Sequence, residues 1–224
     1  MLDKFYSYRF ELFLFTQLII LFGSLFIPLD LFENWIMPLF LLINIASGII
    51  LLSKKRLVSK LLVIFLAIST IFVAFTFFDS TLNENYNYIK LASYFIFYGF
   101  VTIEIVKQVW NAKDVGKNVI LGLISGYISL GLLSFFLCLT IEIIYPNSFS
   151  GITTHAINIG PSEMSDSLMY YSYITLMTIG YGDILPITPI AQKAAIFIGL
   201  IGQFYLVVLT AIVVGKYINQ SSKN

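Results

Sequence analysis

Charge is what this chain has least of. Only 11% of its 224 residues are Asp, Glu, Lys or Arg, against 58% apolar, where soluble domains carry about 25% charged. That balance excludes a water-soluble globule and points to a bilayer, and a formal net charge of +1 argues against a nucleic-acid partner. Cys138 is the single cysteine, so no disulfide can form within one chain, and it reads as a small apolar packing residue. The single histidine, His155, has no Cys, Asp or Glu at ligand spacing and reads as an exposed loop residue. No nucleotide-binding loop, metal cluster or pair of carboxylates in an aqueous segment occurs, so neither an enzyme nor a cofactor is expected.

Long apolar runs are abundant. About 20 apolar residues cross the hydrocarbon layer as a helix, and six such spans are expected: Phe10–Ile27, Trp35–Leu52, Leu57–Phe78, Ile89–Val109, Asn118–Ile144 and Ile190–Val214. The first is expected to be retained rather than cleaved as a signal peptide, since no A-x-A-like site follows it. Lys54, Lys55, Arg56 and Lys60 cluster between the second and third spans, and Lys107, Lys113 and Lys117 between the fourth and fifth. Lys4, Arg9, Lys216 and Lys223 flank the ends. The positive-inside rule puts these groups, and both termini, on the cytoplasmic side of the cell membrane. The basic cluster at residues 54–60 is chiefly a topology determinant and a site where anionic lipid head groups could bind.

Short connections make the first four spans an antiparallel bundle, a peripheral module over residues 1–110. The polar WNAKDVG run marks a cytoplasmic linker at 111–117, and a second module follows at 118–218 with a short tail at 219–224. Residues 146–161, rich in Gly, Ser, Thr, Asn and Pro, read as an extracellular loop. Ser165 is expected to cap a helix from Asp166 to Met177, with Asp166 facing the positive helix end. At 1.5 Å per residue this helix covers about 18 Å, too short to cross, so it enters the membrane and turns back. Among the ionisable residues near the membrane, Glu104 is expected to pair with Lys107 or snorkel. Glu142 is expected either to contact the pore loop or to face the interface.

The most informative run follows that helix: Thr178, Ile179, Gly180, Tyr181, Gly182 and Asp183. With DSLMYYSYITLM before it and LPITP after it, the run resembles the pore loop of tetrameric potassium channels, and the resemblance extends over roughly residues 118–218. Gly199, Gly202 and Gln203, in GLIGQFYLVVLTAIVVG, resemble the inner helix of many bacterial members, where a glycine permits bending at a gate. The resemblance implies an all-α membrane protein of six transmembrane helices plus a re-entrant pore helix and filter loop, homotetrameric about a central pore. It implies potassium as the permeant ion, with oxygens of Thr178, Ile179, Gly180, Tyr181 and Gly182 replacing its hydration shell. Glycine at 180 and 182 suits this because some of the dihedrals needed have positive φ. Asp183 would shape the outer mouth, Tyr170, Tyr171, Thr175 and Met177 would support the filter, with Tyr181 bracing it too, and Gly199 and Gly202 would either hinge a gate or allow close packing.

Two departures from the family pattern bear on the site. Ile174 stands where some relatives carry a Glu that pairs with the Asp after the filter, so Asp183 needs another partner. Met177 replaces a more usual hydroxyl residue. The fourth span lacks the arginines of voltage-gated relatives: Lys90 and Lys107 lie near its ends with Glu104 between them. Steep voltage dependence takes three or four gating charges per subunit, which this span does not supply. The alternative to a potassium channel is a less selective cation channel or a non-conducting regulatory subunit.

Overall fold

The computed structural model describes residues 8–28, 31–52, 60, 62–64, 66–67, 70–71, 84–152 and 161–222. Most of the third expected span, Lys54, Lys55 and Arg56 of the basic cluster, and His155 lie outside the described residues.

Helix α1 (Arg9–Phe22) is shorter than the first expected span, because the chain tightens into a 3-10 turn at Gly23–Leu25. A π-helical turn, Phe32–Ile36, leads into α2 (Met37–Leu52). Helix α3 (Glu84–Asn111) and helix α4 (Lys117–Ile144) follow, interrupted at Gly116, whose backbone is extended. Then come β1 (Phe149–Ser150), α5 (Pro161–Leu176), β2 (Leu185–Pro186) and α6 (Pro189–Ser221). Two of the described helices, α4 and α6, are long and apolar enough to cross a membrane. The sixth expected span thus runs on past Val214 to Ser221 as one helix.

Helical periodicity explains which faces meet. Phe97, Val101, Ile105 and Val109 recur every fourth residue and are fully or almost fully buried; Phe97 lies against Gly48 of α2, and Ile105 and Val109 lie against Gly126 and Gly122 of α4, along which α3 runs. Tyr94 and Tyr98 stack on Phe136 of α4, with ring centroids 5.1 and 5.6 Å apart. Lipid tails are as apolar as Leu, so close packing and polar contacts hold membrane helices together. Helix α4 fits that rule: Gly122, Ser125, Gly126, Ser129, Gly131 and Ser134 are all buried along it. Between α1 and α4, Gln17 Nε2 donates to Ser129 Oγ at 2.7 Å and to the Ser125 carbonyl at 3.2 Å.

Asn44 joins three helices. Its Nδ2 donates to Thr16 Oγ1 (2.7 Å) and to the Phe13 carbonyl (3.2 Å), and its Oδ1 accepts from the Tyr98 hydroxyl (2.9 Å). Removing Asn44 leaves the buried Tyr98 hydroxyl without this partner, at about 1–3 kcal/mol, and takes away two further bonds, while Thr16 Oγ1 keeps its bond to the Phe13 carbonyl. Asn44→Ala is therefore expected to lower unfolding stability by about 2–3 kcal/mol, read as a fall in thermal midpoint in detergent, whereas Tyr98→Phe, which removes one hydroxyl, is expected to cost less.

At the end of the molecule where α3 gives way to α4, Glu104 pairs with Lys107 at 3.4 Å, as expected, and Lys117 pairs with Glu11 at 3.0 Å. Lys216, near the end of α6, donates to the carbonyls of Val109, Trp110 and Ala112, and Gln220 Oε1 accepts from the Val115 amide at 2.8 Å. The lysine thereby satisfies carbonyls at the negative end of α3.

Candidate functional site: the loop between α5 and α6

Helix α5 begins at Pro161, so Ser165 lies inside it and does not cap it. The expected start at Asp166 was late: proline's fixed φ suits a first helical position, and that preference sets in before the Ser-Asp pair. Sixteen residues make a helix of about 24 Å, still short of the bilayer. Its packed face is aromatic. Tyr173 is buried on α4, its ring against Gly131 and its hydroxyl donating to the Ile128 carbonyl at 2.8 Å.

The chain leaves α5 through a tight series of bonds. The Met177 amide donates to Tyr173 O (2.9 Å), that of Thr178 to Thr175 O (3.0 Å) and that of Ile179 to Ile174 O (2.8 Å). Then the backbone alternates: φ is positive at Thr178 (58°), Gly180 (56°) and Gly182 (85°), and not at Ile179 or Tyr181. An alternation in the sign of φ can turn successive peptide groups to the same side, so that neighbouring backbone dipoles add. Glycine takes this backbone freely; Thr178 does not, since a β-branched residue at positive φ is strained. Thr178 through Asp183 are all exposed in the single chain.

Behind this segment lie the residues expected to support it. The Tyr170 hydroxyl lies beside Asp183, making Tyr170 a neighbour of Asp183 on the same helix as Ile174. Tyr171 is buried, its ring 5.0 Å from that of Phe149 in an edge contact and its side chain beside Thr175. In the single chain Met177 is 42% exposed and Tyr181 72% exposed.

After the segment, β2 pairs antiparallel with β1, Phe149 opposite Pro186 and Ser150 opposite Leu185. Gly151, just past β1, abuts the Asp183 carbonyl. This small sheet is anchored by Glu142 at the end of α4. Its Oε1 accepts from the Asn147 amide (2.8 Å) and its Oε2 from those of Ser148 (2.9 Å) and Phe149 (3.2 Å). These bonds go to the stretch read as an extracellular loop rather than to the pore loop at 166–183.

Thr188 caps α6, its Oγ1 accepting from the Ala191 amide at 3.4 Å, with Pro189 opening the helix. The two α6 glycines differ. An ideal Cβ on Gly199 would come no nearer than 4.0 Å to any neighbour, the Thr175 carbonyl oxygen, whereas one on Gly202 would overlap the Leu176 carbonyl at the end of α5. Gly202 is a close-packing glycine. The α-helix gives way just after it to a π-helical turn at Tyr205–Leu209, where the Tyr205 hydroxyl donates to the Leu123 carbonyl of α4 at 2.6 Å.

No motif marks Tyr173, Tyr127 or Tyr205, whose hydroxyls all bond to backbone carbonyls; the one signal for them in the sequence is the set of small residues on α4, which leaves room for rings. Gln203 of the inner-helix resemblance donates from Nε2 to Thr178 Oγ1 at 3.0 Å.

Residues 148–219 match a family model described as Ion channel, about a third of the chain. No curated protein and no solved structure matches the chain. The matched stretch takes in the small sheet, α5, the alternating segment and nearly all of α6, and ion conduction across a membrane is the class of function it supports.

Proposed function

We propose that the protein is a potassium-selective channel, a homotetramer in the cell membrane with Thr178–Gly182 of four chains around one axis. The observation that carries this reading is the alternation of positive φ at Thr178, Gly180 and Gly182 on an exposed segment. Carbonyls turned to one side in a single chain form an open row; four such rows form a closed cage that replaces the water around a cation. Closed rotational symmetry supplies them from one gene product. The burial of the two spans supports the same assembly: the apolar window of α4 is 56% buried within one chain and that of α6 only 28%, leaving α6 a face for its copies and for the pore. Asp183, beside Tyr170, shapes the outer mouth.

On this reading the chain has six spans and residues 1–110 form a peripheral module on the same chain's pore unit. Both termini lie on the cytoplasmic side, where Arg9, Lys107, Lys117 and Lys216 gather, and anionic lipids bind near Lys54, Lys55, Arg56 and Lys60. Purified protein in liposomes is expected to pass potassium well above sodium, and Gly180→Ala to abolish the flux; equal permeability to the two ions would sink the selectivity. Conductance is expected to vary weakly with voltage, and a steep conductance–voltage curve lost on neutralising Lys90 or Lys107 would contradict that.

A further inference from the structure

Directly beneath the alternating segment, α6 places one amide side chain on the hydroxyl that begins it. Gly202 lets α6 close on the end of α5, and the next residue, Gln203, donates from Nε2 to Thr178 Oγ1 at 3.0 Å. Both residues are exposed in the single chain, on the face left open for the axis.

We propose that Gln203 is a specificity-determining residue that weakens the innermost oxygen site for divalent cations by holding the Thr178 hydroxyl; this rests on the reading of Thr178–Gly182 as a potassium filter. A hydroxyl oxygen has two lone pairs and one hydrogen. The Gln203 amide occupies one lone pair, so one remains for an ion, and the rotor is locked. The amide hydrogens also bring partial positive charge close to the site, and their repulsion of a cation scales with its charge. A divalent ion of potassium's size loses twice as much as potassium does, and symmetry repeats the effect in every subunit.

Barium, a divalent ion close to potassium in radius, is the probe. Full-length channels in planar bilayers with equal potassium chloride on both sides are expected to be blocked by about fivefold less barium, or lower still, when Gln203→Leu removes the donor, one hydrogen bond per subunit being enough for such a change. Gln203→Asn, a methylene too short to reach, is expected to move block in the same direction and carries the test if the leucine variant does not assemble. In a Thr178→Ala background the Gln203→Leu change is expected to do nothing further. Unchanged or weaker block in both Gln203 variants, or an undiminished shift without the threonine hydroxyl, overturns the proposal while wild-type potassium selectivity stands. A wild type that passes no potassium overturns the filter reading and this inference with it.

Discussion

Gly202→Ala is expected to destabilise the protein and disable conduction, while Gly199→Ala, three residues earlier on the same helix, is expected to leave it unharmed or slightly more stable. The two substitutions are chemically identical, so their difference isolates the environment. In a helix interior alanine is favoured over glycine by about 1 kcal/mol. At Gly199 nothing opposes that gain, since a Cβ there has 4.0 Å of clearance. At Gly202 the added methyl meets the backbone carbonyl of Leu176, which ends α5 and cannot swing aside like a flexible side chain. Overpacking costs about 1–3 kcal/mol, and occasionally more, so the net change is a loss of up to about 2 kcal/mol. The displacement falls where Thr178 begins, so potassium flux is expected to drop far more than stability does. Thermal midpoints in detergent and liposome flux measure the two effects. If Gly202→Ala conducts normally, close packing is not why glycine stands there; if Gly199→Ala is the damaging one, a hinge at that position regains its place.

Glu142→Ala is expected to loosen the outer loop. The carboxylate accepts from the amides of Asn147, Ser148 and Phe149, and Ser148 and Phe149 are buried, so water does not simply take its place. Charge-assisted bonds contribute about 1.5–3 kcal/mol each when buried. Glu142 itself is half-buried, and screening reduces the total to about 2–4 kcal/mol. The consequence reaches further than the turn. Those amides lead into β1, β1 pairs with β2, and Gly151 abuts the Asp183 carbonyl, so the loop's order and the mouth's geometry are one structure. Hydrogen exchange at Asn147–Phe149 is expected to quicken in Glu142→Ala and to quicken less in Glu142→Gln, which keeps one carbonyl acceptor. Unchanged exchange in the alanine variant would show that the loop holds itself.

Much of this was legible beforehand. Glycines at 180 and 182 announced positive φ, because a residue without a Cβ is the one that tolerates it. The apolar periodicity of α3 was readable as a packing stripe: Phe97, Val101, Ile105 and Val109 are buried, the first against Gly48 of α2 and the last two against Gly126 and Gly122 of α4. Boundaries were harder: α5 starts five residues before its expected first residue, and α6 runs on to Ser221. Single polar residues such as Ser165 compete weakly with proline's fixed backbone and with tertiary packing.

What the sequence by itself determined is the chemistry that depends on neighbours along the chain: a run whose backbone must alternate, a short helix before it, a long apolar helix after it, and too little charge to belong anywhere but a membrane. Only the tertiary structure decided who meets whom. Asp183 comes to lie beside Tyr170, Glu142 finds the turn that leads into β1, Gly202 meets a carbonyl, and Gln203 reaches the hydroxyl of Thr178. The reason is physical. Dihedral preference is local and can be read residue by residue, whereas a hydrogen bond or a steric contact between residues far apart in the chain exists only once two helices have been packed at one distance and one rotation.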